Sequence, residues 1–224
     1  MMKGAPSKLA IPQVFLRWLA SSRLDFLNGM LEGRPLRYFS AHLPVMATWN
    51  GSGEFPVNLT VKGIGLVPRD DLVGEYIDLF ESLSAEARAG NWGETLSKRV
   101  DALRALYGNV ENFNPFLLGG LEIFEGTAFR NLLANPRASL LYVGMARQEG
   151  GGIRYISFQV NGHVEVLKKD SLYYRYLLAA RRLFEFDKFH IYQPEYPYGY
   201  LLHVQEVKDK TPWSRAPGHP SRGL

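Results

Sequence analysis

The chain has no cysteine. Disulfide bridges, thiolate nucleophiles and cysteine-ligated zinc ribbons are therefore excluded. Long apolar runs are missing too. The N-terminal stretch MMKGAPSKLAIPQVFLRWLASS places lysines ahead of apolar residues, as a signal peptide does, but Pro12, Gln13 and Arg17 interrupt it. Nothing is long enough for a signal core or a membrane span, so no membrane association and a cytoplasmic location are expected. Charge of one sign is not concentrated either: 26 Lys and Arg stand against 22 Asp and Glu, a net charge of +4. That balance suits an anionic ligand but lacks the dense basic stripe of a nucleic-acid binder. The five histidines, His42, His163, His190, His203 and His219, have neither metal-ligand spacing nor a carboxylate motif beside them. No G-x-S-x-G elbow surrounds a serine. Gly63-Ile64-Gly65 lacks the third glycine and the following helix of a dinucleotide fingerprint.

What is present is an ordinary folded composition, 46% hydrophobic and 21% charged over 224 residues, read as a single domain. An amphipathic helix is expected near residues 13–21, and a second short helical piece over 24–33 ends at Gly33. Residues 43–49 and 55–61 are rich in β-branched and aromatic side chains and flank N-G-S-G-E, which predicts an antiparallel hairpin. A further strand over 63–67 ends at Pro68. Residues 70–108 change character. Apolar residues at Leu72, Tyr76, Leu79, Phe80 and Leu83, then at Leu96, Val100, Leu103 and Leu106, keep helical spacing, and Gly108 supplies a stop. This is a two-helix insertion between β regions.

After a glycine turn at 150–152, Ile156, Phe158, Val160, Val164 and Val166 share one parity, the pattern of a strand with one buried face. Asn161-Gly162 suits either a hairpin tip or a kink within one continuous strand. Asp170 is placed to cap a helix over SLYYRYLLAARRLFEF, a last strand covers 200–207, and a basic tail punctuated by Pro and Gly fills 211–224. Antiparallel hairpins with helices outside them indicate an α+β, barrel-like fold.

The best candidate site lies in LEIFEGTAFRNLLANPRASLLYVG, residues 121–144. If a helix starts at Thr127, the amides of Ala128, Phe129 and Arg130 have no partner within it. Thr127 adds a hydroxyl, Arg130 a guanidinium, and Gly126 admits a ligand close to the backbone. Together these are what a phosphate needs. The plain alternative is that Thr127 only caps the helix while Arg130 faces water. Asn58 and Thr60 share a strand face. They either wall a ligand or look to solvent while Val57, Leu59 and Val61 point inward. The helix bearing Tyr173, Tyr174, Arg175, Tyr176, Arg181 and Arg182 either stacks on single-stranded nucleic acid or buries its tyrosines.

Taken together, the Gly-Thr turn, the Arg-Asn-Leu helix, Asn-Pro-Arg and a Gly-interrupted strand resemble the FMN-binding split-barrel superfamily, which includes the pyridoxamine-phosphate-oxidase-like proteins. LEIFEGTAFRNL stands where a largely archaeal branch carries R-x-F-x-G-S-x-T-Y-x-N-L. NPRASLLYVG is similar to the strand after it, FQVNGHVEVL to a Val-x-Gly-x-Ala-Glu-Val strand, and VMATWNGSGEFPVNLTV to the first two barrel strands. The resemblance favours a kink at Gly162. The N-terminal helices and the two-helix insertion over 70–108 lie outside the resemblance; within an α+β chain with these flanking helices it implies an antiparallel split β-barrel, with FMN bound without a covalent link at a homodimer interface. It implies a phosphate held at Gly126, Thr127, Ala128, Arg130 and Asn131, with the ring against Asn58, Leu59, Thr60 and Phe124. The activity implied is that of a flavin-dependent oxidoreductase or flavin carrier acting on a small molecule. The position of the helical insertion in the chain leads to the separate expectation that it covers the ring face and sets substrate access.

Two residues depart from the pattern. Glu122 takes the place of a strand arginine, and Glu125 adds a negative charge beside the seat. Other split barrels bind the deazaflavin F420 or haem, which keeps both open. A non-enzymatic nucleic-acid-binding or scaffold role, using the Tyr/Arg helix and the tail, is the third reading.

Overall fold

The computed structural model describes residues 9–35, 40–51, 54–147, 152–185 and 195–212. Helix α1 spans Gln13–Leu31 and buries Phe15, Leu16, Leu19 and Leu27. The two helical pieces expected here are one, because nothing between them breaks the backbone ladder. The stop comes at Gly33, whose φ of 65° is the left-handed conformation that glycine adopts freely. Strands β1 (Val45–Trp49) and β2 (Val57–Val61) form the expected hairpin, with Trp49 opposite Val57. Strand β3 (Ile64–Pro68) follows after only Lys62 and Gly63. The insertion is helices α2 (Val73–Ala89) and α3 (Leu96–Tyr107). Strand β4 (Phe113–Glu122), helix α4 (Thr127–Ala134), strands β5 (Arg137–Arg147) and β6 (Ile153–Leu167), helix α5 (Leu172–Arg182) and strand β7 (Tyr198–Asp209) complete the chain.

All strand pairs are antiparallel, in the order β2-β1-β5-β6-β7-β4-β3. The two edges of this sheet are therefore consecutive strands. The steps from Val61 to Ile64 reach at most roughly 11 Å, so seven strands must curl until their edges meet. The chain leading into β1 sews that seam: Ile64 N donates to His42 O at 2.9 Å and Lys62 N to Pro44 O at 3.2 Å. Tyr142 of β5 crosses the interior and donates from its hydroxyl to Ile64 O at 3.2 Å. The result is an α+β fold, an antiparallel split barrel with flanking helices and a two-helix insertion. Helix α1 closes the barrel, with the Phe15 ring 5.1 Å from that of Tyr142 and 4.6 Å from that of Phe158.

Strand β6 keeps its alternation, with Phe158, Val160 and Val164 inside and Tyr155, His163 and Glu165 outside. It runs straight through Gly162. Asn161 opposes Glu206 and Gly162 opposes Val204, which leaves Gln205 as the extra residue of a bulge on β7. A Cβ on Gly162 would lie 2.6 Å from His203 O, so the strands can approach this closely only at a glycine.

The insertion packs on other helices, α2 against α5 and α3 against α1. The rings of Phe80 and Tyr176 are 6.1 Å apart. The buried guanidinium of Arg99 donates to Trp92 O at 2.7 Å, to Thr95 Oγ1 at 3.1 Å and to Leu183 O, tying α3 to the end of α5. The insertion thus buttresses α1 and α5. Ser171, and not Asp170, takes the N-cap position of α5. Most of the tail, His190, His219 and much of the glycine turn lie outside the described residues. Among the described residues no helix is long and apolar enough to cross a membrane.

Candidate functional site

Strand β4 ends at Glu122, and residues 123–126 turn the chain into α4. Gly126 is the N-cap residue and Thr127 the first helical one, so the Thr127 hydroxyl is not a cap. The first backbone bond of the helix runs from Arg130 N to Gly126 O at 3.1 Å. The amides of Thr127, Ala128 and Phe129 all precede it. Arg130 folds back across this terminus. Its Nη1 donates to Glu125 O and its Nη2 to Thr127 Oγ1, each at 3.2 Å. The hydroxyl oxygen accepts there, which leaves its own proton to donate outward. A guanidinium, a hydroxyl and the positive end of a helix are therefore gathered on one exposed surface, the arrangement that holds an anion.

Ala128 and Phe129 are buried beneath this surface. The Phe129 ring stacks on Tyr198 at 4.8 Å and pins the helix to β7. Asn131 is also buried, and its Nδ2 donates to Thr48 Oγ1 at 3.3 Å. Asn135 Nδ2 donates to Trp49 O at 3.2 Å. Asn131 thus anchors α4 to β1. Thr48 opposes Asn58 and Met46 opposes Thr60, so the half-buried Asn58 and Thr60 share the face on which α4 packs. The reading with Val57, Leu59 and Val61 inward is overturned: they are 55%, 66% and 50% exposed. Leu59 lies on the opposite face of β2 from Asn58 and Thr60. Phe124 is 70% exposed beside the turn.

Glu122 is fully buried and does not face the anion seat. Its Oε1 pairs with Lys62 Nζ and accepts from Phe124 N at 2.9 Å, and its Oε2 accepts from the Tyr200 hydroxyl. The charge is compensated inside the barrel, and the same carboxylate holds the start of the turn in place. Lys62 is the residue that sequence reasoning missed. It lies in the two-residue β2–β3 link, sixty positions from its partner, and no local pattern joins them. Glu125 is exposed and is the one negative charge of residues 121–134 left beside the seat.

The outer sheet face carries a second feature. Val61, Val45 and Leu141 form a row across β2, β1 and β5. With Leu59, Val143 and Met145, which are 66%, 51% and 64% exposed, they make a continuous open apolar surface. Strand periodicity alone did not say which parity faces outward. On the Tyr/Arg helix, Tyr174 and Tyr176 are buried, and Arg175 pairs with Glu81 at 3.0 Å.

No protein-family model matches the chain, and no curated protein matches it. Solved structures similar to it include an FMN-binding protein from Syntrophomonas wolfei, at 8% identity and a TM-score of 0.43, covering 89% of this chain and 90% of that one. HupZ of Group A Streptococcus is similar at 11% identity and a TM-score of 0.42, covering 86% and 94%. HutZ, the haem storage protein from Vibrio cholerae, is similar at 11% identity and a TM-score of 0.39, covering 75% and 85%.

Proposed function

We propose that the chain is a cytoplasmic homodimer that binds FMN without a covalent link and serves as a flavin-dependent oxidoreductase or flavin carrier. The observation that carries this reading is Arg130 folded back onto Thr127 at the N-terminus of α4, next to the Asn58–Thr60 side of β2. The residues present fit a flavin phosphate. Arg130 balances its charge, the Thr127 hydroxyl and the Ala128 amide donate to it, and Gly126 has no side chain to obstruct it. Asn131 holds the helix to β1, which keeps the seat rigid when empty. Asn58 and Thr60 supply hydrogen-bonding edges for the ring and Phe124 an exposed aromatic surface. Bound FMN supplies the electron or hydride transfer, and the protein's part is to bind, orient and shield it.

The homodimer reading is supported by the open face of β2, β1 and β5. A contiguous apolar surface on a strand edge and its neighbours is a liability unless covered, and a second copy covers it with the same residues. Leu59, on that face, meets a ligand only where the two copies join.

The visible spectrum of the purified protein tests the flavin reading directly. Flavin bands and FMN in the extract are expected. F420 or haem in the extract would replace FMN, and a colourless protein that takes up no added FMN ends the reading. Arg130→Ala is expected to weaken FMN by about 1.5–3 kcal/mol, roughly 10- to 150-fold, in a fluorescence titration. Sedimentation should give a dimer for the native chain and a monomer for Val143→Glu; a monomeric native chain sinks the dimer.

A further inference from the structure

A separate cavity of about 690 Å³ opens at the other end of β4, within the size range of small-ligand sites. Its walls are the β3–α2 corner, the start of β4, the start of α5 and the outer faces of β6 and β7. Leu117, Leu167 and Leu201, all buried, give it an apolar floor. No residue of α4 lines it. Leu117 and Glu122 are five strand residues apart, roughly 17 Å, so the two sites are distinct.

The polar groups of this cavity are arranged unequally. Arg69 is tied through two bonds, of 3.0 and 2.7 Å, to Asp71, and through a third to Glu111 O, so its charge is spent. Asp70 Oδ1 accepts from the Tyr173 hydroxyl and from Asn114 Nδ2 at 3.5 Å. Both donors are neutral. Burial, and then the Asp70 bond, push the Tyr173 phenol above its ordinary range, which keeps it a donor. Among the described residues Asp70 has hydrogen bonds but no ion pair. On the opposite wall Glu165, among the described residues, meets the His203 imidazole at 2.8 Å. Two carboxylates thus face each other over an apolar floor, one of them held in position by neutral donors and lacking a counter-ion. A carboxylate fixed in this way is preorganised for a cation that brings an apolar body with it.

We infer that this cavity binds a small organic amine in its protonated form. The ammonium sits against Asp70, the apolar body lies on Leu117 and Leu201, and Glu165 adds negative potential from the far wall. The inference stands apart from the flavin reading, since it uses none of the residues around α4.

Isothermal titration of the native protein with phenethylamine, 2-phenylethanol and phenylacetate tests it, because the three share one apolar body and differ in charge. The amine is expected to bind saturably and at least tenfold more tightly than the alcohol, and phenylacetate not to bind. Asp70→Asn keeps the bonds to Tyr173 and Asn114 and should cost the amine at least tenfold while leaving the alcohol unchanged. Glu165→Gln should cost less, and Arg130→Ala nothing. If Asp70→Asn fails to fold, a salt titration of the native protein serves instead: added sodium chloride should weaken the amine and leave the alcohol alone. No saturable amine binding, equal affinity for amine and alcohol, or an amine affinity indifferent to both Asp70→Asn and salt would overturn the assignment.

Discussion

Glu122 and Arg130 lie eight residues apart, and their surroundings give them opposite duties. A carboxylate with no exposure to water is costly unless it is paired and hydrogen-bonded. Lys62, Tyr200 and the Phe124 amide meet that need. Glu122→Ala removes the acid but leaves the ammonium of Lys62, 87% buried as a side chain, with no counter-charge. The expected loss is about 3–5 kcal/mol, read as a lower urea midpoint. Glu122→Met combined with Lys62→Met should recover much of it, because removing both partners leaves no buried charge uncompensated. A Glu122→Ala protein as stable as the native one would mean that the pair supports nothing. Arg130 is exposed, and among the described residues it bonds to Thr127 and a backbone oxygen. Arg130→Ala should therefore change stability by no more than about 0.5 kcal/mol in the same assay. A loss of FMN affinity in that variant then reports binding and not unfolding.

At the scale of elements, the barrel depends on the corner where β2 passes into β3. Ile64 opposes Gly120 there, and a Cβ on Gly120 would lie 2.1 Å from Gly63 O, a backbone atom that no rotamer change can move aside. Gly120→Ala must push β3 away from β4 and part the seam. A loss at or above the upper end of the roughly 1–3 kcal/mol of ordinary overpacking is expected by urea denaturation; native-like stability would contradict a closed corner. This corner also marks the limit of what was legible beforehand. The β1–β2 hairpin, the two insertion helices and the one-faced β6 were readable because each follows from a period of 2 or 3.6 within a dozen residues. The seam was not, since it joins strands at opposite edges of the sheet through a link that carries no periodic signal. The inward parity of β2, the Lys62–Glu122 pair and the attachment of Asn131 to Thr48 were hidden for the same reason. Of the candidate site, Gly126, Thr127 and Arg130 were readable locally as a helix start, whereas the division of Asn58 and Thr60 from Leu59 appeared only once β2 was seen against β1.

For the molecule as a whole, its 12 tyrosines are a probe of how the barrel and the helical layer come apart. Burial pushes the phenols of Tyr142, Tyr107 and Tyr176 above their ordinary value of 10.0. In the folded chain each keeps its proton at a pH where the unfolded chain has lost it, so the folded state binds more protons and stability falls as pH rises. The stability their neutral forms contribute is fully present below about pH 10 and is lost above it. Tyr142 bridges the barrel to Ile64, Tyr107 lies on α3 and Tyr176 on α5 against α2. These three therefore sample both layers, and one alkaline transition is expected in which tyrosinate absorbance and loss of far-ultraviolet circular dichroism advance together. Complete tyrosinate formation near pH 10 with the dichroism unchanged would sink the buried-phenol account. Tyr142→Phe separates the two contributions of that ring. It keeps the packing against Phe15 but loses the bond to Ile64 O, costing about 0.5–1.5 kcal/mol at neutral pH. It also removes one ionisable phenol from the core, so its stability should decline less steeply than that of the native chain as pH rises past 10.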